Sequence, residues 1–289
     1  MGNLSKEFIA LNRLGIKDIG SLINLSNLVG WDYDESELKT VLSCGHIFGH
    51  KNINGEVVSS AAIIPYENKL ASLGMVIVNQ DYRGLGLGKE IVEACIDKVP
   101  INNSIILIST EEGKPLYERM GFTTVDYIHK FIGRNIKHSY IPNKYDLRVE
   151  SITEKDINEI IELDKEAFGD KRTSLIKNRI NQSHDNLIVK DKTNNLKGFG
   201  LSIKGPENLI LGPIVAPDIE MALFIISKLT KNYSGKIRID VPSEQKVFID
   251  ALRKIKFKEV SIPPVMMLKS DTMPKRNGHL YGITAQIFG

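Results

Sequence analysis

The sequence has few cysteines, no long apolar run and little excess charge of either sign. Its only cysteines, Cys44 and Cys95, form no CxxC pair and no zinc-ligand set with the six scattered histidines. We therefore expect buried thiols in a reducing compartment and no metal site. No stretch of roughly 18 apolar residues occurs, and residues 1–10 lack a signal-type apolar core. We predict a cytoplasmic protein with no membrane partner.

The charges are nearly balanced, with 38 basic and 35 acidic side chains and a net charge of +3. No dense run of Lys or Arg stands out, so the sequence predicts no nucleic-acid partner. Hydrophobic residues make up 42% of the chain and charged residues 25%, which is ordinary for globular proteins. At about 100–200 residues per domain, the length predicts two domains.

The chain repeats itself. Lys17–Leu25 recurs as Lys155–Leu163, and both segments have the apolar spacing of an amphipathic helix. An apolar strand with a helix after it follows in each half, first at Gly74–Val78 and then at Gly212–Ala216. The shared order favours duplication. We place the boundary in the polar stretch Ile141–Tyr145, which gives domains at 1–142 and 143–289.

The first half predicts an α+β fold, a mixed sheet flanked by helices. The predicted helices are 16–28, 35–42, 86–99 and 114–120, and the predicted strands are 46–50, 56–65, 70–78, 104–110 and one beginning at Phe122. By duplication, we expect the second half to have the same twisted mixed sheet.

A glycine-rich loop links a strand to a helix at residues 76–89. Gly84, Gly86 and Gly88 alternate, so their backbone has no Cβ where a bulky group must approach. Their N–H groups, the unsatisfied first turn of the helix and the Arg83 cation can all attract a pyrophosphate. The spacing of these glycines matches neither a P-loop nor a dinucleotide-binding fingerprint. A glycine turn that serves close packing alone is the other interpretation.

This strand, loop and helix resemble the GNAT superfamily of N-acetyltransferases, whose motif is V-x-P, then Q/R-x-x-G-x-G/A, then a helix. The chain matches at Val78, Arg83, Gly86 and Gly88, and has Gln80 in place of the proline. The resemblance implies that acetyl-CoA is the cofactor, with its pantetheine arm along the strand and its pyrophosphate on the loop amides. The implied cofactor-binding residues are Val76, Ile77, Val78, Arg83, Gly84, Leu85, Gly86, Leu87, Gly88 and Lys89.

A second segment, Pro115–Phe122, resembles the family's late helix and its Gly-Phe exit. By that resemblance Tyr117 takes the catalytic place near the coenzyme sulfur and protonates the leaving thiolate; the other interpretation is a tyrosine that only packs in the core. Trp31 is a candidate for the substrate pocket, although a lone tryptophan is more often a core anchor. No residue stands out as the general base.

The implied activity is an N-acetyltransferase in which a primary amine of a small molecule or peptide attacks the thioester directly. A non-catalytic acyl-CoA sensor is the alternative. The sequence leaves the acceptor and the oligomeric state open.

The second half lacks the glycine loop. Aligned through the strand, Glu220 falls opposite Arg83, and Leu252 replaces Tyr117. A carboxylate there would repel a pyrophosphate, so we predict no coenzyme binding in this half. Several of its residues resemble the degenerate partner domain of a bacterial two-domain GNAT group, which implies a scaffold and possible walls for the acceptor pocket. These residues are Asp164, Phe168–Asp170, Arg172 and Tyr281–Gly282.

Overall fold

The computed structural model describes residues 9–134, 136 and 147–289, so the expected boundary between 142 and 143 lies outside the described residues. The elements of the first half are β1 (Ala10–Leu14), α1 (Ile19–Asn27), α2 (Glu35–Cys44), β2 (His46–Lys51), β3 (Ser59–Pro65), β4 (Leu70–Val78), α3 (Leu87–Ile96), β5 (Ser104–Ile108), α4 (Lys114–Arg119) and β6 (Thr123–Arg134). Apart from β1, which the sequence did not predict, each matches a predicted element to within a few residues. The predicted mixed α/β fold is confirmed.

The second half repeats the order helix, helix, strands, helix, strand, helix. Its elements are β7 (Arg148–Glu150), α5 (Ile157–Phe168), α6 (Thr173–Gln182), β8 (Asp185–Lys190), β9 (Leu196–Lys204), β10 (Leu209–Val215), α7 (Ile219–Leu229), β11 (Lys236–Pro242), α8 (Lys246–Lys254), β12 (Lys258–Ser261), β13 (Pro264–Leu268) and β14 (Leu280–Gly282). No helix in the described ranges is long and apolar enough to cross a bilayer.

The two halves share one continuous sheet, in the order β1-β2-β3-β4-β5-β13-β6-β11-β10-β9-β8-β7. Strand β13 of the second half lies between β5 and β6 of the first. Strand β6 is long enough to serve both halves: Thr123–Tyr127 pairs with β13, and Ile128–Arg134 pairs with β11. The halves therefore exchange strands, which the sequence repeat did not indicate.

A buried aspartate of the second half binds the backbone of the first half, and a buried ion pair lies close to it in the sequence. The Asp170 carboxylate accepts hydrogen bonds from the backbone N–H groups of Asn68, Lys69 and Leu70 at 2.8–3.0 Å, which fixes the turn before β4. Arg172 and Asp164 form a bidentate ion pair at 2.7 and 2.9 Å, and neither side chain is exposed. Asp170 thus joins the two halves, and Arg172, held by Asp164, lies over the Tyr66 ring of the first half at 5.8 Å. The sequence likened all three residues to those of a partner domain.

An aspartate at the start of the opening helix makes equivalent contacts in both halves. Asp18 accepts from the Gly15 N–H at 2.9 Å and binds Lys51 at 2.6 Å. Asp156 accepts from the Thr153 N–H at 2.9 Å and binds Lys190 at 2.7 Å. Each carboxylate fixes the entry to a helix and ties it to a strand.

Asp156→Ala should lower the free energy of unfolding at pH 7 by about 1–2 kcal/mol, because the cap and the partner of Lys190 are both lost. Burial alone would raise the pKa of Asp156, but hydrogen bonds from Lys190 and Thr153 outweigh it and lower the pKa below the usual 3.8. A lowered pKa stabilises the fold above the unfolded-state pKa and ceases to do so as the pH falls through the folded-state value.

The measurement is urea unfolding of both proteins at several pH values. The difference between wild type and Asp156→Ala should be full at pH 7 and should shrink below about pH 3.9. Asp97→Ala, which removes an exposed carboxylate just after α3, is the control. An equal loss in both variants, or no change with pH, would contradict the assigned role.

Candidate active site

The loop after β4 has the conformation that its glycines require. Asn79 caps a single turn of 3-10 helix at Gln80–Tyr82, with its side-chain oxygen accepting from the Asp81 N–H at 3.1 Å. Gly84 and Gly86 then adopt left-handed conformations with φ of +82° and +80°. Other residues rarely adopt these angles. Gly88 already lies inside helix α3, so its role is to leave space rather than to turn the chain.

Helix α3 begins at Leu87, and within the described residues no side chain caps its N-terminus, because Gly86 occupies the cap position. The first-turn N–H groups therefore face outward with the positive end of the helix dipole. They border a cleft of about 570 Å³. The loop and helix residues that line this cleft are Arg83, Gly84, Gly86, Leu87, Gly88 and Lys89.

Strands β4 and β5 form the other side of the cleft because they separate. They pair in parallel only from Leu70–Ser72 to Ser104–Ile106. Beyond that point β4 runs on to Val78 with β3 on one side only. The backbone of its last residues therefore borders the cleft, which the side chains of Val76 and Val78 also line. Ile77 points the other way, into the core.

A β-bulge marks the point where the strands part. Met75 and Val76 of β4 lie opposite the single residue Ala61 of β3, between the pairs Ser60–Ile77 and Ala62–Gly74. Met75 has φ of +53°, which a side chain with a Cβ adopts at a cost of about 1–2 kcal/mol. The Ser60 hydroxyl donates to the Met75 carbonyl oxygen at 2.9 Å and helps to hold this conformation. No sequence pattern indicated this bulge.

Tyr117, on α4, lies at the same cleft. It is only 7% exposed, and its ring packs against Phe122 with centroids 5.8 Å apart. Burial raises the pKa of Tyr117, and the neighbouring Cys95 raises it further. The phenol is therefore protonated at neutral pH, and the same burial makes it a weaker acid.

A second cavity, of about 410 Å³, continues from the first and is built by both halves of the chain. Trp31, Gly74, Met75, Ile108, Thr110 and Glu112 line both cavities. The second half supplies further walls, including Gln182, Lys204, Arg238, Ile262 and Gln286. Trp31 thus stands where the cleft opens into this cavity, as a pocket residue would.

Asp32, Lys130 and Arg238 of the second cavity were missed by sequence reasoning. Asp32 follows Trp31 directly and could have been noticed for that reason. Lys130 and Arg238 lie on β6 and β11, which pair only through the strand exchange, so no local pattern marks them. Among the described residues, no group of three His, Cys, Asp or Glu side chains is arranged to hold a metal ion.

A buried Ser-His-Glu cluster fixes helix α3. The ring nitrogens of His50 lie 2.7 Å from the Ser59 hydroxyl and 3.0 Å from the Glu90 carboxylate. Ser59 is fully buried, so it cannot reach a substrate as a nucleophile. The cluster instead joins α3 to β2 and β3, which holds the glycine loop against the sheet.

The corresponding place in the second half lacks the loop altogether. Strand β10 ends at Val215, and α7 begins at Ile219 after only three residues. The alignment of Glu220 with Arg83 is therefore wrong, because residues have been deleted rather than substituted. Asp218 caps α7 by accepting from the Met221 N–H at 2.9 Å. The helix end thus carries a carboxylate of its own, which opposes a bound phosphate.

Two models of the acetyltransferase (GNAT) domain match the chain, at residues 40–138 and 160–282. The chain is 36% identical over 282 residues to an uncharacterized N-acetyltransferase of Bacillus subtilis, YitH, covering 96% of this chain and 98% of that protein. A putative acetyltransferase from Pyrococcus horikoshii superposes with a TM-score of 0.81 at 20% identity, covering 100% of this chain and 99% of that one. A tandem GNAT protein from the clavulanic acid biosynthesis pathway gives 0.66 at 12% identity, covering 90% and 98%. At these identities the two solved structures show the fold alone.

Gly74→Ala should lower the free energy of unfolding by about 1–3 kcal/mol, the usual cost of overpacking. An added Cβ would lie 2.8 Å from Ile287 Cγ1 and 3.0 Å from Ile287 Cα, so it would push residue 287 away from β4. Thermal or urea unfolding measures the loss.

Gly20→Ala is the matched control, because a Cβ at this position in α1 meets nothing within 4 Å. In a helix alanine is favoured over glycine by about 1 kcal/mol, so this variant should be as stable as wild type or more so. Equal stability of the two variants would show that β4 and residue 287 do not pack as described.

Proposed function

The chain belongs to the GNAT family of acetyltransferases, with a domain of that family matched in each half, and on this basis we propose that it transfers an acetyl group from acetyl-CoA to a primary amine of a small molecule or peptide. The observation that carries this proposal is the open N-terminus of α3 beside the parted strands β4 and β5. Residues 1–142 form the catalytic domain in this proposal, and residues 143–289 are its partner.

The coenzyme lies along the cleft. Its pyrophosphate accepts hydrogen bonds from the backbone N–H groups of the loop from Gly84 to Lys89, and Arg83 adds a cation at the entrance. Its pantetheine arm pairs with the backbone of Val76–Val78, which faces no strand on that side in the described part of the chain. In this binding mode the thioester lies near Tyr117, which lines the cleft, and near Trp31, which lines both cavities.

The reaction is a direct transfer. The amine nitrogen attacks the thioester carbon, the C–S bond breaks, and the leaving thiolate takes a proton from the Tyr117 hydroxyl, which solvent then restores. An alkyl ammonium with a pKa near 10.4 costs about 4.6 kcal/mol to neutralise at pH 7. The carboxylates of Asp32 and Glu112 line the acceptor cavity and can accept that proton directly or through water.

Gly86→Glu should weaken acetyl-CoA binding by about 100-fold or more, because it places a carboxylate against the pyrophosphate at a helix N-terminus. Isothermal titration should give one site per wild-type chain, since the second half has no open helix end of this kind.

Gly55→Glu is the control, because Gly55 is another glycine in the left-handed region, with φ of +79° and no atom within 4 Å of an added Cβ. Both variants should lose similar stability from backbone strain, but only Gly86→Glu should lose affinity. Equal acetyl-CoA affinity in the two folded variants, or two equivalent sites in the wild type, would contradict the proposed binding mode.

Wild-type protein should release free thiol from acetyl-CoA when a panel of primary amines is added, which a non-catalytic sensor would not do.

Tyr117→Phe should lower kcat about tenfold or more and leave the acetyl-CoA Kd unchanged, because the ring stays and only the proton donor is lost. Tyr281→Phe, at a buried tyrosine of the second half that packs on Phe248 at 5.0 Å, should keep full activity. An unchanged kcat in Tyr117→Phe would remove the hydroxyl from the mechanism.

A further inference from the structure

The acceptor cavity carries unpaired charges of opposite sign on its two sides. Five acidic residues line it, but two of them already have structural roles. Glu37 forms a bidentate ion pair with the fully buried Arg179, and Asp34 caps helix α2 by accepting from the Glu37 N–H at 2.7 Å. Asp32, Glu111 and Glu112 remain as carboxylates able to attract an ammonium group.

The opposite wall is formed by a face of the exchanged strands. Asp240 lies directly across from Lys130 in the β6–β11 pairing, and its carboxylate is bound by Arg238 at 2.6–3.1 Å. Arg238 and Asp240 therefore compensate one another. In the described part of the chain, no carboxylate forms an ion pair with Lys130, so this wall has one uncompensated positive charge.

That charge is held in an unfavourable environment. Burial lowers the pKa of Lys130, and the neighbouring Arg238 lowers it further, while Asp240 and Asp32 oppose this only in part. An anion bound between Lys130 and Arg238 would relieve both effects. The cavity thus presents Lys130 and Arg238 to an anionic group, and Glu112, which also lines the cleft, to an ammonium group.

The carboxylate of Glu112 and the ammonium group of Lys130 come from different parts of the cavity wall, whereas Asp32 is close enough to Lys130 to affect its pKa. Glu112 follows β5 and also lines the coenzyme cleft, whereas Lys130 lies on β6, with β13 between the two strands. Two strand spacings amount to about 10 Å. One acceptor molecule that reached both sides would need its amine and its anionic group several bonds apart.

We propose that the acceptor is a primary amine that also carries an anionic group, a carboxylate or a phosphate, which Lys130 and Arg238 bind while the amine faces the thioester. This inference rests on the proposed acetyl transfer and names the class of its acceptor. Lys130 acts in it as a specificity-determining residue.

The test compares matched amines that differ in the anionic group. The pairs are β-alanine with β-alaninamide, γ-aminobutyrate with its amide, and O-phosphoethanolamine with ethanolamine, and spermidine represents a purely cationic acceptor. Thiol release from acetyl-CoA gives kcat and KM for each. Wild type should favour the anionic member of at least one pair by about tenfold or more in kcat/KM. The favoured pair distinguishes a carboxylate from a phosphate.

Lys130→Gln should abolish that preference by raising KM for the anionic amine about tenfold relative to KM for its uncharged partner. Lys130→Arg should restore it, since the charge is kept. Lys258→Gln is the matched control, because Lys258 is an exposed lysine of β12 beside β6 and should leave the preference intact.

Several results would overturn the inference: equal use of both members of every pair, a preference for spermidine, or a preference that survives in Lys130→Gln. In each of these the enzyme still acetylates amines, so the proposed function stands. If no amine in the panel releases thiol and acetyl-CoA does not bind, the proposed function fails and the inference fails with it.

Discussion

The site depends on the separation of β4 and β5. Two neighbouring parallel strands would normally pair along their length and satisfy each other's backbone, but these pair over three residues and then part. The segment 284–289 packs beneath the opening. The Ser72 hydroxyl donates to the Ile287 carbonyl oxygen at 2.8 Å, and the side chains of Ile287 and Phe288 are buried. Each buried apolar side chain contributes about 1.5–3 kcal/mol, so the open cleft is stabilised by residues of the second half.

The duplication explains how the second half came to serve the first. Both halves kept the aspartate that fixes the opening helix and ties it to a lysine. They diverged at the helix after the central strand. In α3 a left-handed glycine leaves the first-turn N–H groups without a side-chain cap, whereas in α7 the Asp218 carboxylate caps the Met221 N–H. The N-terminus of α3 is therefore suited to bind an external anion, whereas the N-terminus of α7 already has the Asp218 carboxylate.

The second half also contributes to the second cavity, which we propose binds the acceptor. Because β6 pairs with β11, the Lys130 and Arg238 side chains lie on one wall, opposite the loop that carries Trp31 and Asp32. Asp170 of the same half also fixes the turn before β4 of the first half. A half without a phosphate cradle therefore still shapes the cavity into which the cleft opens.

The sequence by itself determined the local structure. Alternating glycines between a β-branched strand and an amphipathic helix specified the loop and the helix that follows it, and the repeated Lys-Asp-Ile segments specified the duplication. These features depend on backbone conformation and periodicity over a few residues, which a sequence displays directly. The predicted elements of the first half and the mixed α/β fold followed from them.

Only the tertiary structure decided which distant residues meet. The strand exchange, the bulge at Met75, the packing of segment 284–289 and the charges on the cavity walls all arise from pairings between residues far apart in the chain. The shorter connection before α7 could not be seen in the sequence for a related reason. An ungapped alignment matches residues by their number along the chain and does not show where a helix begins. Such pairings depend on how whole strands and helices pack, and no short pattern encodes them.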